Sequence, residues 1–251
     1  MNHLYPVYQS RSIYMGVFFM RFSRLSTLAA ALCACATFST AHAQSANVNV
    51  QGVITPPACS AQFVGGADLD WGVISHNSLS AATMTVLTPK NVTLQTQCEE
   101  GLTTRMAFWA ADANPASAMA GVRVQGTSTA NGDDVNRVFG IGMDPVTNQK
   151  LGNFTMIPTS SSYDGTVSST YFGWVNTSTH TETNFTRAAF DGYGYQKNTD
   201  MTVYDTNSNP ALANTFTFSM DVVPQLNNSS AITNTQEVPF SGTAQFYVRY
   251  F

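Results

Sequence analysis

The chain has 251 residues, with 11 Lys and Arg against 15 Asp and Glu, and only 10% of its residues are charged. An acidic balance without a basic cluster argues against nucleic acid or an anionic membrane as a partner. Few charges with many Thr, Ser, Asn and Gly make the composition of an extracellular β-protein, soluble through neutral polar groups.

The first 43 residues read as a signal peptide. Arg21 and Arg24 precede an apolar run over 25–38, and Ala41-His42-Ala43 supplies an A-x-A cleavage pattern, which starts the mature chain at Gln44. Met20 suits a start better than Met1, so residues 1–19 are expected to be an unused upstream extension. The apolar run is short and interrupted, and no later stretch offers the about 20 continuous apolar residues of a membrane helix. A membrane anchor over 13–38 is the alternative. Removing 43 of 251 residues takes away Arg11, Arg21 and Arg24, leaving 208 residues with 8 basic and 15 acidic side chains, a net charge of −7. That length suits one β-rich domain. Of four cysteines, Cys33 and Cys35 leave with the signal. Cys59 and Cys98 remain, and an even count in an exported chain predicts one structural disulfide. Neither has a C-x-x-C partner or a nearby histidine pair, so no metal site is expected.

The mature chain opens on "NVNVQGVITPPAC", residues 47–59. Val48, Val50, Gly52 and Ile54 alternate with Asn49, Gln51 and Val53, the period of a strand. No turn signal pairs this segment with a neighbour. Short alternating stretches follow: "SAQFV", "LDWGVI" around Trp71, and "MTVLTPKNVTLQTQC" with Val92, Leu94, Thr96 and Cys98 on one face. "TRMAFWA" precedes an Asn114-Pro115 break, "NPASAMAG" allows one helical turn, and "GVRVQG" and "RVFGIGM" complete the first half. Strands recurring between turn signals predict an all-β antiparallel sandwich or barrel.

From residue 158 to 186, Ser, Thr and Asn make up 16 of 29 positions, so this stretch is expected to be surface loop or exposed hairpin contributing little core. Tyr171, Phe172 and Trp174 would pin it to the body, and Tyr171 with Trp174 forms a candidate ligand loop. Regular alternation returns in "FTFSMDVVP", with Phe216, Phe218, Met220 and Val222 on one face. "GTAQFYVRYF" ends the chain, with Ala244, Phe246, Val248 and Tyr250 on one face.

These features together resemble the pilin subunits of the chaperone–usher pathway, the type 1-like fimbrial proteins, and most closely their β-fimbrial major-subunit branch. The resemblance rests on Val48-x-Val50-x-Gly52-x-Ile54 ahead of the first cysteine and on the Cys59/Cys98 pair with "LDWGVIS" between them. It rests also on the final alternating strand with penultimate Tyr250 and on the low-charge, Thr-rich composition. It covers 46–109 and 215–251 well and the middle weakly. The chain is longer than a typical shaft pilin, with a polar insert near 125–210, and Gly242 lies nearer the end than the glycine many pilins share.

The resemblance implies an incomplete immunoglobulin-like sandwich lacking its last strand over 57–251, preceded by a donor-strand extension over 44–56. Val48, Val50, Gly52 and Ile54 would be the donor positions. Ala244, Phe246, Val248 and Tyr250 would line the acceptor groove and the strand a chaperone binds. The implied partners are neighbouring subunits joined head to tail, a periplasmic chaperone and an outer-membrane usher, with a host glycan or surface receptor as a further candidate. The implied location is a surface fimbria reached through the periplasm. Strand addition of this kind is a known mode of β-augmentation.

Catalytic constellations are not apparent. The mature chain has only His76 and His180, neither in H-E-x-x-H, and no Ser sits in G-x-S-x-G. Asp133-Asp134 and Glu99-Glu100 read as solvated turn charges. Asp68 and Asp70 lack calcium-loop spacing. No cofactor and no enzymatic activity are expected. Trp71 and Trp109 read as core residues and Trp174 as the better sugar-binding candidate. The rival reading is therefore a secreted carbohydrate-binding sandwich; a tip or adaptor subunit is the variant within the first class.

Overall fold

Alternation in the sequence becomes strand wherever one face can be buried against a second sheet. A computed structural model describes Gln51 and residues 59–119, 135–168, 171–234 and 236–251. The chain divides between Gly52 and Val53, and the following concerns the C-terminal unit. Its strands, in chain order, begin with β1 (Cys59–Val64), β2 (Thr85–Val86), β3 (Lys90–Cys98), β4 (Met106–Asp112), β5 (Phe139–Gly140) and β6 (Gly152–Tyr163). They continue with β7 (Thr166–Ser168), β8 (Tyr171–Asn176), β9 (Thr186–Ala189), β10 (Thr199–Val203), β11 (Thr215–Leu226) and β12 (Ala244–Tyr250).

These strands form two sheets. One runs β1-β3-β11-β6-β5, with β2 also on β11 and β7 also on β6; the other runs β12-β4-β10-β8-β9. Every pairing between named strands is antiparallel. The protein is an all-β sandwich. Val92 and Leu94 of β3 and Phe216, Phe218 and Met220 of β11 are buried, as are Met106 and Phe108 of β4 and Met201 and Val203 of β10. The two sheets meet edge to face at Phe108 and Phe218, whose ring centroids lie 4.8 Å apart. The predicted inward face of β3 holds throughout, since Val92, Leu94, Thr96 and Cys98 are all buried.

The predicted disulfide joins Cys59 to Cys98. The two cysteines are register partners of β1 and β3, so the bond ties an edge strand to its only strand neighbour among the described residues. A second tie is Tyr195, buried between Phe108 and Phe139 at centroid distances of 6.4 Å. Its hydroxyl donates to the Thr199 carbonyl and accepts from the Ala110 amide, both at 2.7 Å. Burial holds this phenol well above the ordinary tyrosine range.

The expectation of exposed hairpins with little core over 158–186 holds, since only Pro158, Ser161, Phe172 and Gly173 are buried among its described residues, although the stretch pairs into both sheets. β6 is central in the first sheet and β8 sits inside the second, with Phe172 buried and Trp174 half-buried. Ser and Thr are compatible with this because much of the core they border comes from partner strands: Ser161 is buried opposite Phe218. Pro158 falls where the β6–β11 register shifts, between Ser219 and Met220. A bulge is where a residue without an N–H fits inside a sheet. Two differences concern shorter stretches. "LDWGVI" is irregular chain after β1 rather than a strand, and "RVFGIGM" contributes only the two residues of β5. "GVRVQG" and Asp133-Asp134 lie outside the described residues. The Asn114-Pro115 break does carry a single helical turn, Pro115–Ser117.

Candidate functional site

β12 occupies an end of the second sheet, paired with β4 from Ala244↔Asp112 to Tyr250↔Met106. Its other edge has no strand beside it among the described residues. β1 ends the first sheet in the same way. Between these two edges lies an open groove of about 450 Å³. Its floor is Val92, Phe154, Met156 and Val222, from three strands of the first sheet. One wall is Phe63 with the irregular segment 67–71, and the other is segment 240–243 continuing into Ala244 and Phe246.

The alternation of β12 explains its place there. Ala244, Phe246, Val248 and Tyr250 point toward the core yet are only half-buried. Their neighbours on β4, Met106, Phe108 and Ala110, are fully buried. The apolar face of the last strand is thus only partly covered. Burial is enough to raise the Tyr250 phenol above its ordinary value. Phe63 and Phe246 meet edge to face with centroids 5.1 Å apart, which bridges the two edges and narrows the groove at that point. Gly242 is required by geometry. A Cβ there would lie 2.5 Å from the Gly140 carbonyl oxygen and 2.8 Å from a Phe154 ring carbon. Trp71 anchors the opposite wall, its indole N–H donating to the Thr88 carbonyl at 2.9 Å and its ring carrying the Lys90 ammonium at 5.2 Å.

Of the four inward residues of β12 named from the sequence, Ala244 and Phe246 line the groove, and Val248 and Tyr250 are not among its lining residues. The sequence reading missed Phe63 and the 240–243 wall. Phe63 lies in the alternating stretch "SAQFV", but nothing local said that it faced a gap. The donor positions Val48, Val50, Gly52 and Ile54 lie outside the described residues, as does the Tyr171 side chain.

Trp109, expected in the core, is instead on the outer face of the second sheet, because β4 turns Met106, Phe108 and Ala110 inward. It stacks on Tyr247 at 5.2 Å and on His180 at 4.1 Å. His180 pairs with the carboxylate of Asp200, which is fully buried and also accepts from the Arg249 Nε at 3.0 Å. Arg249 lies in turn over the ring of Phe251 at 4.8 Å and donates to the Glu182 carbonyl. This cluster fixes the 177–185 segment across the back of β12, so the strand bordering the groove is held firmly from its outer face. Trp174 lines a separate, smaller cleft between β6 and the β8–β9–β10 side of the sandwich.

The fold and groove define an all-β sandwich, disulfide-tied at one edge, with an apolar interface left open between edge strands. Residues 48–155 match a family described as a protein of unknown function, DUF1120. No curated protein matches the chain.

Proposed function

We propose that this protein is a structural subunit of a surface fimbria, exported through the periplasm and polymerised by donor-strand exchange. On this reading the sandwich is an incomplete immunoglobulin-like fold, and residues 47–54 of a second copy fill its groove. The observation that carries the proposal is the half-buried inward face of β12 beside an edge that no strand pairs among the described residues.

The match between the two halves supports it. Val48 to Ile54 is as long as β12, which has 7 residues, about 23 Å of extended chain at roughly 3.3 Å per residue. Burying Val48, Val50 and Ile54 at about 1.5–3 kcal/mol each contributes roughly 5–8 kcal/mol before the cost of ordering the segment. Gly52 suits close approach of the donor backbone to the groove, since a glycine lets backbone pass where a side chain would collide. Pro56 and Pro57 lack amide donors, so the added ladder ends there. A head-to-tail contact of this kind does not close on itself and builds a filament. A periplasmic chaperone would cover the same edge before assembly, and an outer-membrane usher would exchange it for the next subunit.

The test is deletion of residues 44–54. The shortened protein should fold and oxidise normally yet fail to extend filaments visible by electron microscopy when supplied with its own chaperone and usher. Filaments of the deleted protein would overturn the proposal.

A further inference from the structure

Strand register gives the sandwich two distinct ends. Cys59↔Cys98, Gln97↔Thr215 and Tyr250↔Met106 define one, where the Thr104–Ala213 bridge joins the chain entering β4 to the chain entering β11. Val64, Lys90, Leu226 and Ala244 lie at the other, with the groove walls 67–71 and 240–243.

Large apolar side chains stand in solvent at both ends. Leu102 and Leu212, 38% and 55% exposed, flank the Thr104–Ala213 bridge at the first end. At the second, Val73 follows β1 and is 97% exposed, and Val146 in the connection entering β6 is 72% exposed. Hydrogen bonds fix the backbone that displays them. The Asn214 side-chain amide donates to the Glu99 and Leu102 carbonyls, both at 2.8 Å, and the Arg105 Nε donates to the Pro210 carbonyl at 3.1 Å. The Asp70 carboxylate accepts from the Gly72 amide at 2.7 Å, in a turn where Gly72 has a φ of 67°. The Asp144 carboxylate accepts from the Val146 and Thr147 amides at 2.8 and 3.1 Å. Exposed apolar groups on a fixed backbone lose little freedom on contact, which is what a preformed interface requires.

A second copy is the partner that fits. Residues 55–58 separate Ile54 from Cys59, and these five peptide steps reach at most about 18 Å. If Ile54 fills a neighbour's groove, the first end of its own copy is held against that neighbour. Every pairing between named strands is antiparallel. A donor that keeps this direction against β12 leaves the groove beside Ala244, at the second end. We propose, resting on the donor-strand reading, that consecutive copies also meet end to end, with Leu102 and Leu212 of one copy against Val73 and Val146 of the next. Four side chains fall well short of the roughly 1,200–2,000 Å² of a stable free-standing interface. The tether raises the effective concentration, so a weak contact suffices. Charge opposes the contact, since Glu99 and Glu100 are exposed at the first end and Asp68 and Asp70 at the second, where Lys90 lies over Trp71. Salt therefore strengthens it by screening.

The test mixes two forms of the mature chain, Leu212→Cys and Val146→Cys, and treats them with a short bismaleimide. Both positions are exposed, so the fold should tolerate them. Linked dimers are read by denaturing gel and mass spectrometry. Tyr247→Cys, 39% exposed on the outer face of β12, replaces Leu212→Cys as the control. The Leu212–Val146 link should exceed the control about tenfold, the gain expected of tethered ends, and should rise with salt. Adding Val50→Asp to the Leu212→Cys copy, or an excess of free 44–56 peptide, should return it to the control level. Three results would overturn the proposal: no link above the control although the peptide stabilises the domain, a link that survives Val50→Asp, or a link that weakens as salt rises. A peptide that fails to stabilise the domain would instead refute the donor-strand reading itself, and the end contact with it.

Discussion

If the groove takes the 47–54 segment of another copy, the segment should stabilise the sandwich when supplied as a free peptide. The experiment pairs the domain from residue 57 onward with a synthetic peptide of residues 44–56, followed by differential scanning calorimetry. At a peptide concentration about 100 times its dissociation constant, linkage gives about 2.7 kcal/mol of added stability. For a domain of this size that corresponds to a rise of about 5–10 °C in melting temperature. Changing Val50 to Asp in the peptide forfeits about 1.5–3 kcal/mol of apolar burial. It also sets a carboxylate against Val92, Met156 and Val222, which offer it no hydrogen bond. The combined loss is about 3 kcal/mol or more, a weakening of at least about 100-fold. Gly52→Leu should be comparably harmful, because a side chain there would hold the donor backbone away from the groove. Equal stabilisation by the native and Val50→Asp peptides, or none by either, would refute the reasoning.

The remaining predictions concern the sandwich itself. Reducing or replacing the Cys59–Cys98 bond, which spans 39 positions, should lower stability by about 4 kcal/mol on the chain-entropy account, read from urea midpoints with and without reductant. Tyr195→Phe removes the acceptor of the Ala110 amide, leaving that buried N–H unpaired, and should cost about 1–3 kcal/mol with an unchanged denaturant slope. Asp144 gives a pH dependence. Burial pushes its carboxyl up, but the amides of Val146 and Thr147 and the Asn234 side chain outweigh that and hold it below the ordinary value of 3.8. The stability it contributes is therefore complete above 3.8 and lost as pH falls through the lower folded value. Asp144→Asn should flatten the acid side of the stability profile, measured by urea unfolding across that range.

Strand identity was legible where one face is apolar. β3, β11 and β12 each alternate so regularly that their inward residues could be named beforehand, and for β3 and β11 these are buried. The strand pairing of the middle was not legible, because β6 carries Thr159, Ser160, Ser161 and Ser162 where partner strands supply the apolar volume. Composition over 158–186 did indicate its small share of the core, where only Pro158, Ser161, Phe172 and Gly173 are buried among the described residues. Trp109 was misassigned for a related reason. A tryptophan inside an apolar run looks like core, yet the alternation of β4 gives that face to Met106, Phe108 and Ala110, and Trp109 packs on Tyr247 and His180 instead.

The candidate groove divides in the same way. The sequence by itself determined a β-protein with one disulfide and a last strand whose apolar face is Ala244, Phe246, Val248 and Tyr250. Periodicity is a local property, and setting Cys33 and Cys35 aside with the expected signal leaves one pairing. Only the tertiary structure decided that β12 and β1 both end their sheets among the described residues, and that Phe63 and 240–243 wall the space between them over a floor of Val92, Phe154, Met156 and Val222. Those residues come from opposite ends and the middle of the chain, and no local pattern encodes which edges a sandwich leaves unpaired.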